Sequence, residues 1–145
     1  MDRLKQVFSL TGRASRLDFW RFQALQALVG AIVWCLAIFG TIAGGWLGAA
    51  PFLLLGPIVA AGTCMSIRRL HDRNRSAWWF IAFGPGPYLL MMLAHLLADT
   101  LGGLVAALAS LPLVLGALVL TVWSWIEIGF RRGTRGPNLF GDAPA

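Results

Sequence analysis

"RRLHDRNRSAWW", residues 68–79, packs six ionisable side chains into twelve positions of a 145-residue chain that is 58% hydrophobic and only 12% charged. Apolar sequence runs up to this stretch and away from it. Working outward, the apolar runs fall at about 22–42, 51–67, 76–98 and 101–126, and mean hydropathy is +0.73. At ~1.5 Å per helical residue, three of the four runs clear a ~30 Å hydrocarbon layer. The second clears it by taking in Trp46 to Ala50, so the spans are set at about 22–42, 47–67, 76–98 and 101–126. The fold expected is all-α: one membrane domain, 1–145, an integral bundle of four transmembrane helices. The first run is longer than a signal-peptide core and follows a polar segment, so it is expected to stay as an anchor.

Net charge is +6 and the pI about 11.1, values that on their own would suggest nucleic acid. Their distribution argues for a membrane instead. Arg3, Lys5, Arg13, Arg16 and Arg21 precede the first span, Arg68, Arg69, Arg73 and Arg75 separate the second from the third, and Arg131, Arg132 and Arg135 follow the fourth. With four spans, all twelve basic residues share one side. The positive-inside rule then puts both termini and the central loop in the cytoplasm, with 1–21, 68–75 and 127–145 forming one polar face. Five of the seven tryptophans gather near that side, while Trp46 marks the other boundary.

Leu4, Val7 and Phe8, beside Arg3 and Lys5, suggest a short amphipathic N-terminal segment on the inner leaflet. Ser15 and Asp18 form a capping-box-like start to the first span. Pro57, Pro85, Pro87 and Pro112 fall inside spans, and "FGPGPY" (83–88) reads as a kink rather than a transporter-like broken helix. Cys35 and Cys64 sit at different depths, too far apart for a disulfide, and read as ordinary thiols.

Three polar pieces meet at the basic face: "GRASRLDFW" (12–20), "RRLHDRNRSAWW" (68–79) and "RRGTRGPNLFG" (131–141). In this order, around four apolar spans, they resemble the bacterial family catalogued as domain of unknown function 805, over nearly the whole chain. Arg-Arg-Leu-His-Asp followed by Arg-Ser-x-Trp-Trp is the specific part. Asn74 and Ala77 stand where that family often has Gly, and Phe140 where Tyr is frequent. Asn tolerates left-handed backbone, so the turn at 74 should survive. The resemblance implies an inner-membrane location and no defined activity.

The residues themselves point to anion chemistry. The amino ends of the first and third helices are expected to open on this face. Arg13, Arg16, Arg68, Arg69, Arg73 and Arg75 gather around them, with planar forks suited to phosphate. Asp18, His71, Asp72, Asn74, Ser76 and Asn138 form the accompanying structural polar network: Asp72 paired to an arginine, and Asn74 or Ser76 capping the third helix. Glu127 and Arg131, like His95 and Asp99, are spaced for i,i+4 pairs. Metal-ligand spacing, a Walker lysine and a nucleophile near His71 are all missing from the sequence, so neither cofactor nor metal is expected. The function expected is a non-catalytic module binding anionic lipid or a membrane partner. The alternatives are a subunit of an oligomeric transporter or channel and a lipid-modifying enzyme using His71 and Asp72. Expected partners are membrane lipids, with a homo-oligomer or a membrane-protein partner left open, and no nucleic acid.

Overall fold

A computed structural model describes residues 7–144, apart from the side chains of residues 43–49. Most of the expected amphipathic segment around Leu4, and the Trp46 side chain, lie outside the described residues. The described chain is helical: α1 (Arg16–Gly44), a 3-10 segment (Gly45–Leu54), α2 (Leu55–Asp72), α3 (Trp79–Phe83), α4 (Pro85–Leu101), α5 (Gly103–Ser124) and a π-helical turn (Trp125–Phe130). Among the described residues the stretches long and apolar enough to cross a membrane are Arg16–Ile42, Ala50–Asp72 and Gly103–Phe130.

The third apolar run differs from the expected kinked helix, because it is two helices. Gly84 sits at φ −88° and ψ −86°, outside helical geometry, and Pro85 opens α4 at its first turn. A proline lacks only an N–H that has no partner there anyway, so Pro85 and Pro87 begin a helix rather than bend one. Pro57 does the same in the first turn of α2, whereas Pro112 lies within an unbroken α5.

The helices form two hairpins, α1 with α2 and α4 with α5. Gly62 lets the Gln26 amide lie against α2, Gly116 meets Leu90, and Gly86 meets Leu120. Among the described residues the hairpins approach each other through α3 and the π-helical turn, and no Cα of α1 or α2 comes within 8 Å of α4 or α5. The junction is a small core of Phe19, Leu70, Phe83 and Ile128, one side chain from each element that meets there. Trp79 and Phe83 close it against Trp123 of α5, with centroids 6.0 and 5.4 Å apart.

Candidate functional site at the basic face

The second helix is longer than its apolar run. It continues to Asp72, so Arg68, Arg69, His71 and Asp72 stand on its last turns and not in a loop. Arg73 to Ala77 make the reversal, with Asn74 left-handed at φ 56°, as the Gly-like role of that position requires. The turn at the end of α2 leaves carbonyls that need donors. Leu70 accepts from the Arg73 and Arg75 amides, and His71 from the Asn74 amide and the Asn138 Nδ2 amide. Asp72 accepts from the Thr134 amide and hydroxyl. Residues near the end of the chain thus complete a helix that ended some sixty residues earlier.

Asp72 is the first of two buried carboxylates. Arg13 reaches its Oδ1 through Nε (3.0 Å) and Nη2 (2.8 Å), while Arg69 pairs with Oδ2 from one turn before it on α2. The remaining Arg13 N–H groups donate to the carbonyls of Thr134 (2.7 Å) and Gly136 (2.7 Å). One fork thereby joins the segment before α1, the end of α2 and the tail. Gly133 packs so closely on the Asp72 carboxylate that a Cβ there would overlap it.

Glu127 is the second, and its side chain is 1% exposed. The π-helical turn, closed by the Arg131 amide on the Ile126 carbonyl, inserts a residue into the helical register there. Oε1 accepts from Arg73 (3.1 Å) and Arg75 (3.0 Å), and Oε2 from Arg131 (2.8 Å). The i,i+4 spacing anticipated Arg131, but Arg73 and Arg75 come from 54 and 52 positions away. Arg75 also lies over the Trp79 ring at 4.5 Å.

Side chains from the first hairpin take the carbonyls at the end of the π-helical turn. Arg69 Nε donates to Ile128 (2.9 Å), Trp20 Nε1 to Gly129 (3.0 Å) and Arg16 to Phe130 (3.4 Å). Arg69 Nη2 donates to the Arg131 carbonyl. Cationic and indole donors at a helix C-terminus meet both its unpaired carbonyls and its negative dipole end.

Of the six arginines expected to hold an anion, Arg13, Arg69 and Arg73 spend their forks on these internal partners, and Arg75 gives its Nε to Glu127. Arg68 differs again. The one polar contact of its side chain among the described residues is with Met65 Sδ at 4.0 Å, and its Nε is buried without a partner there. Arg16 stays exposed, and with Arg132, which sequence reasoning did not single out, it borders a cleft of about 340 Å³ with Ser15, Asp72 and Thr134. Neither Arg16 nor Arg132 pairs with a carboxylate among the described residues, and their spacing in the sequence carries no hint that they share a cleft.

The capping box expected at the start of α1 forms, whereas the caps expected for α3 do not. The Ser15 hydroxyl donates to Asp18 at 2.6 Å and accepts the Asp18 amide at 3.1 Å, so the start of α1 is capped and carries a carboxylate. Neither Asn74 nor Ser76 caps α3. Asn74 Oδ1 accepts the Leu139 amide, and Ser76 offers only its carbonyl to Trp79, because the reversal turns both side chains away from the helix start. His71 and Asp72 do not converge on a common point. The His71 ring stacks on Phe140 at 4.0 Å with planes 2° apart, and its Nδ1 lies 3.2 Å from the Gly12 carbonyl. Phe140 keeps the flat face that a Tyr would offer. Asn138 stands at the tight turn of the tail, bridged to Gly141. His95 and Asp99 form an exposed pair on α4, 3.5 Å apart and far from these residues along the chain. Among the described residues no three potential metal ligands cluster.

Comparison with known proteins gives this arrangement a setting. Inner membrane protein YhaI of Escherichia coli strain K12 is 35% identical over 80 residues, 55% of this chain and 65% of that protein. Its counterpart in E. coli O157:H7 matches to the same extent. The chain therefore spans 65% of the length of these curated relatives. No solved structure matches. The family model runs from residue 7 to residue 142, across both hairpins and all three polar pieces, and the chain belongs to the family described as protein of unknown function (DUF805).

Proposed function

We propose that the protein crosses the inner membrane four times, with its basic face in the cytoplasm, and that this face binds the headgroup of an anionic phospholipid without catalysing a reaction. Trp79–Leu101, taken across the break at Gly84, supplies the third of the four crossings, since ~20 residues suffice. The observation that carries the reading is the imbalance of charge. Two buried carboxylates answer Arg13, Arg69, Arg73, Arg75 and Arg131, and Arg16 and Arg132 are left facing one cleft. Anionic headgroups occupy that depth, and an arginine fork matches a phosphate in two hydrogen bonds. The internal network holds the cleft rigid, so little ordering cost attends binding.

The test is thermal unfolding in detergent with added phosphatidylglycerol, cardiolipin or phosphatidylcholine. The anionic lipids should raise the midpoint and phosphatidylcholine should not. The double variant Arg16→Gln/Arg132→Gln should lose that difference while keeping its midpoint in phosphatidylcholine. An identical response to all three lipids in the unaltered protein would remove the headgroup site.

A further inference from the structure

Resting on that reading, we propose that the crevice between the two hairpins is itself a lipid site, taking the acyl chains of the phospholipid whose phosphate sits on Arg16 and Arg132. The close approaches that Gly62, Gly86 and Gly116 permit are all within a hairpin, to Gln26, Leu120 and Leu90. Packed helices lie ~8–10 Å apart between axes, which brings facing Cα atoms well inside 8 Å, and among the described residues no Cα of α1 or α2 comes that close to α4 or α5. A gap in a bilayer does not stay empty, because its walls would forfeit their dispersion contacts. The choice is between lipid chains and protein.

Charge selects the lipid. The crevice closes at its basic end, where Trp20 meets Phe130 at 5.3 Å and donates to the Gly129 carbonyl. Arg16, which borders the cationic cleft, lies one helical turn before Trp20 and reaches the Phe130 carbonyl, so one side chain of the cleft touches the closed end of the crevice. An anionic phospholipid brings a negative group to that end and an apolar tail to the rest. A second copy in the same orientation would bring another set of arginines to the same depth, at a cost in like-charge repulsion.

The experiment uses the full chain, delipidated in mild detergent. It compares phosphatidylglycerol with glycerophosphoglycerol, the same headgroup without chains. It also compares quenching of tryptophan fluorescence by chain-brominated phosphatidylglycerol and chain-brominated phosphatidylcholine in vesicles, for the unaltered protein, Trp20→Phe and Arg16→Gln/Arg132→Gln. Expected results are a raised melting midpoint with phosphatidylglycerol only, and stronger quenching by the brominated anionic lipid. That excess should be lost in the arginine variant and diminished in Trp20→Phe. Equal stabilisation by glycerophosphoglycerol would overturn the crevice site and leave the headgroup reading standing. Stabilisation by neither would remove both. Equal quenching by the two brominated lipids, or a lipid-free dimer in native mass spectrometry, would also overturn the crevice.

Discussion

Arg68 and Arg69 are neighbours of one type on one helix turn, and the structure gives them different tasks. Arg69 is fully buried and holds Ile128, Arg131 and Asp72 at once, a geometry that needs a planar fork. Arg69→Lys keeps the charge and strands at least one of those acceptors, so it should cost about 2–3 kcal/mol at ~1–3 per charge-assisted bond. Arg68→Lys should stay within about 0.5 kcal/mol. Chemical or thermal unfolding of both variants in the same detergent checks the contrast, and equal effects would mean the arginines act only as charge. Glu127→Gln leaves Arg73, Arg75 and Arg131 without their counter-charge. About 2 kcal/mol is expected, below the ~3–5 of a fully buried pair, because Arg75 and Arg131 retain access to water. None of these partnerships could be taken from spacing except Arg131 with Glu127 and Arg69 with Asp72. Arg13 and Asp72 lie 59 positions apart, and proximity at one membrane depth said only that they belong to the same face.

At the scale of elements, hydropathy placed the four apolar runs, because lipid imposes length and composition on whatever crosses it. It could not find where α2 ends. Arg69 and Asp72 satisfy each other and are covered by the tail, so the helix continues past the point where hydropathy falls. Nor could it separate a kink from a break at "FGPGPY", because proline is compatible with both a bent helix and a new first turn. The Phe80 ring decides the matter locally, lying 2.6 Å from where a Cβ on Gly84 would stand. Gly84→Ala should therefore push Phe80 out of place and cost about 1–3 kcal/mol, as overpacking does. Melting of the purified variant measures this, and an unchanged midpoint would show that the ring is free to move. The π-helical turn left no mark in composition. Its signature is a carboxylate one residue out of register, visible only once the arginines around it are placed.

For the whole molecule, the two hairpins join at one end, and that end carries Arg13, Arg16, Arg69, Arg73, Arg75 and Arg131. Reporter fusions at Ala50 and Thr100 should score periplasmic, and fusions at Asn74 and Ala145 cytoplasmic. A periplasmic Asn74 would reverse the orientation on which the lipid reading depends. The same architecture bears on the order of events in synthesis. Asp72 and Arg13 leave the ribosome long before Gly133, Thr134 and Gly136, the residues that cover them. Until those arrive, the first hairpin carries an ion pair with no lid and an Asp72 carbonyl with no donor. A chain stopped before Thr134 should therefore insert and be cleared by proteolysis, while the chain carrying residues 133–141 persists, an outcome a pulse-chase experiment would read directly. Residues 133–141, made after the first hairpin, would then set how long that hairpin survives.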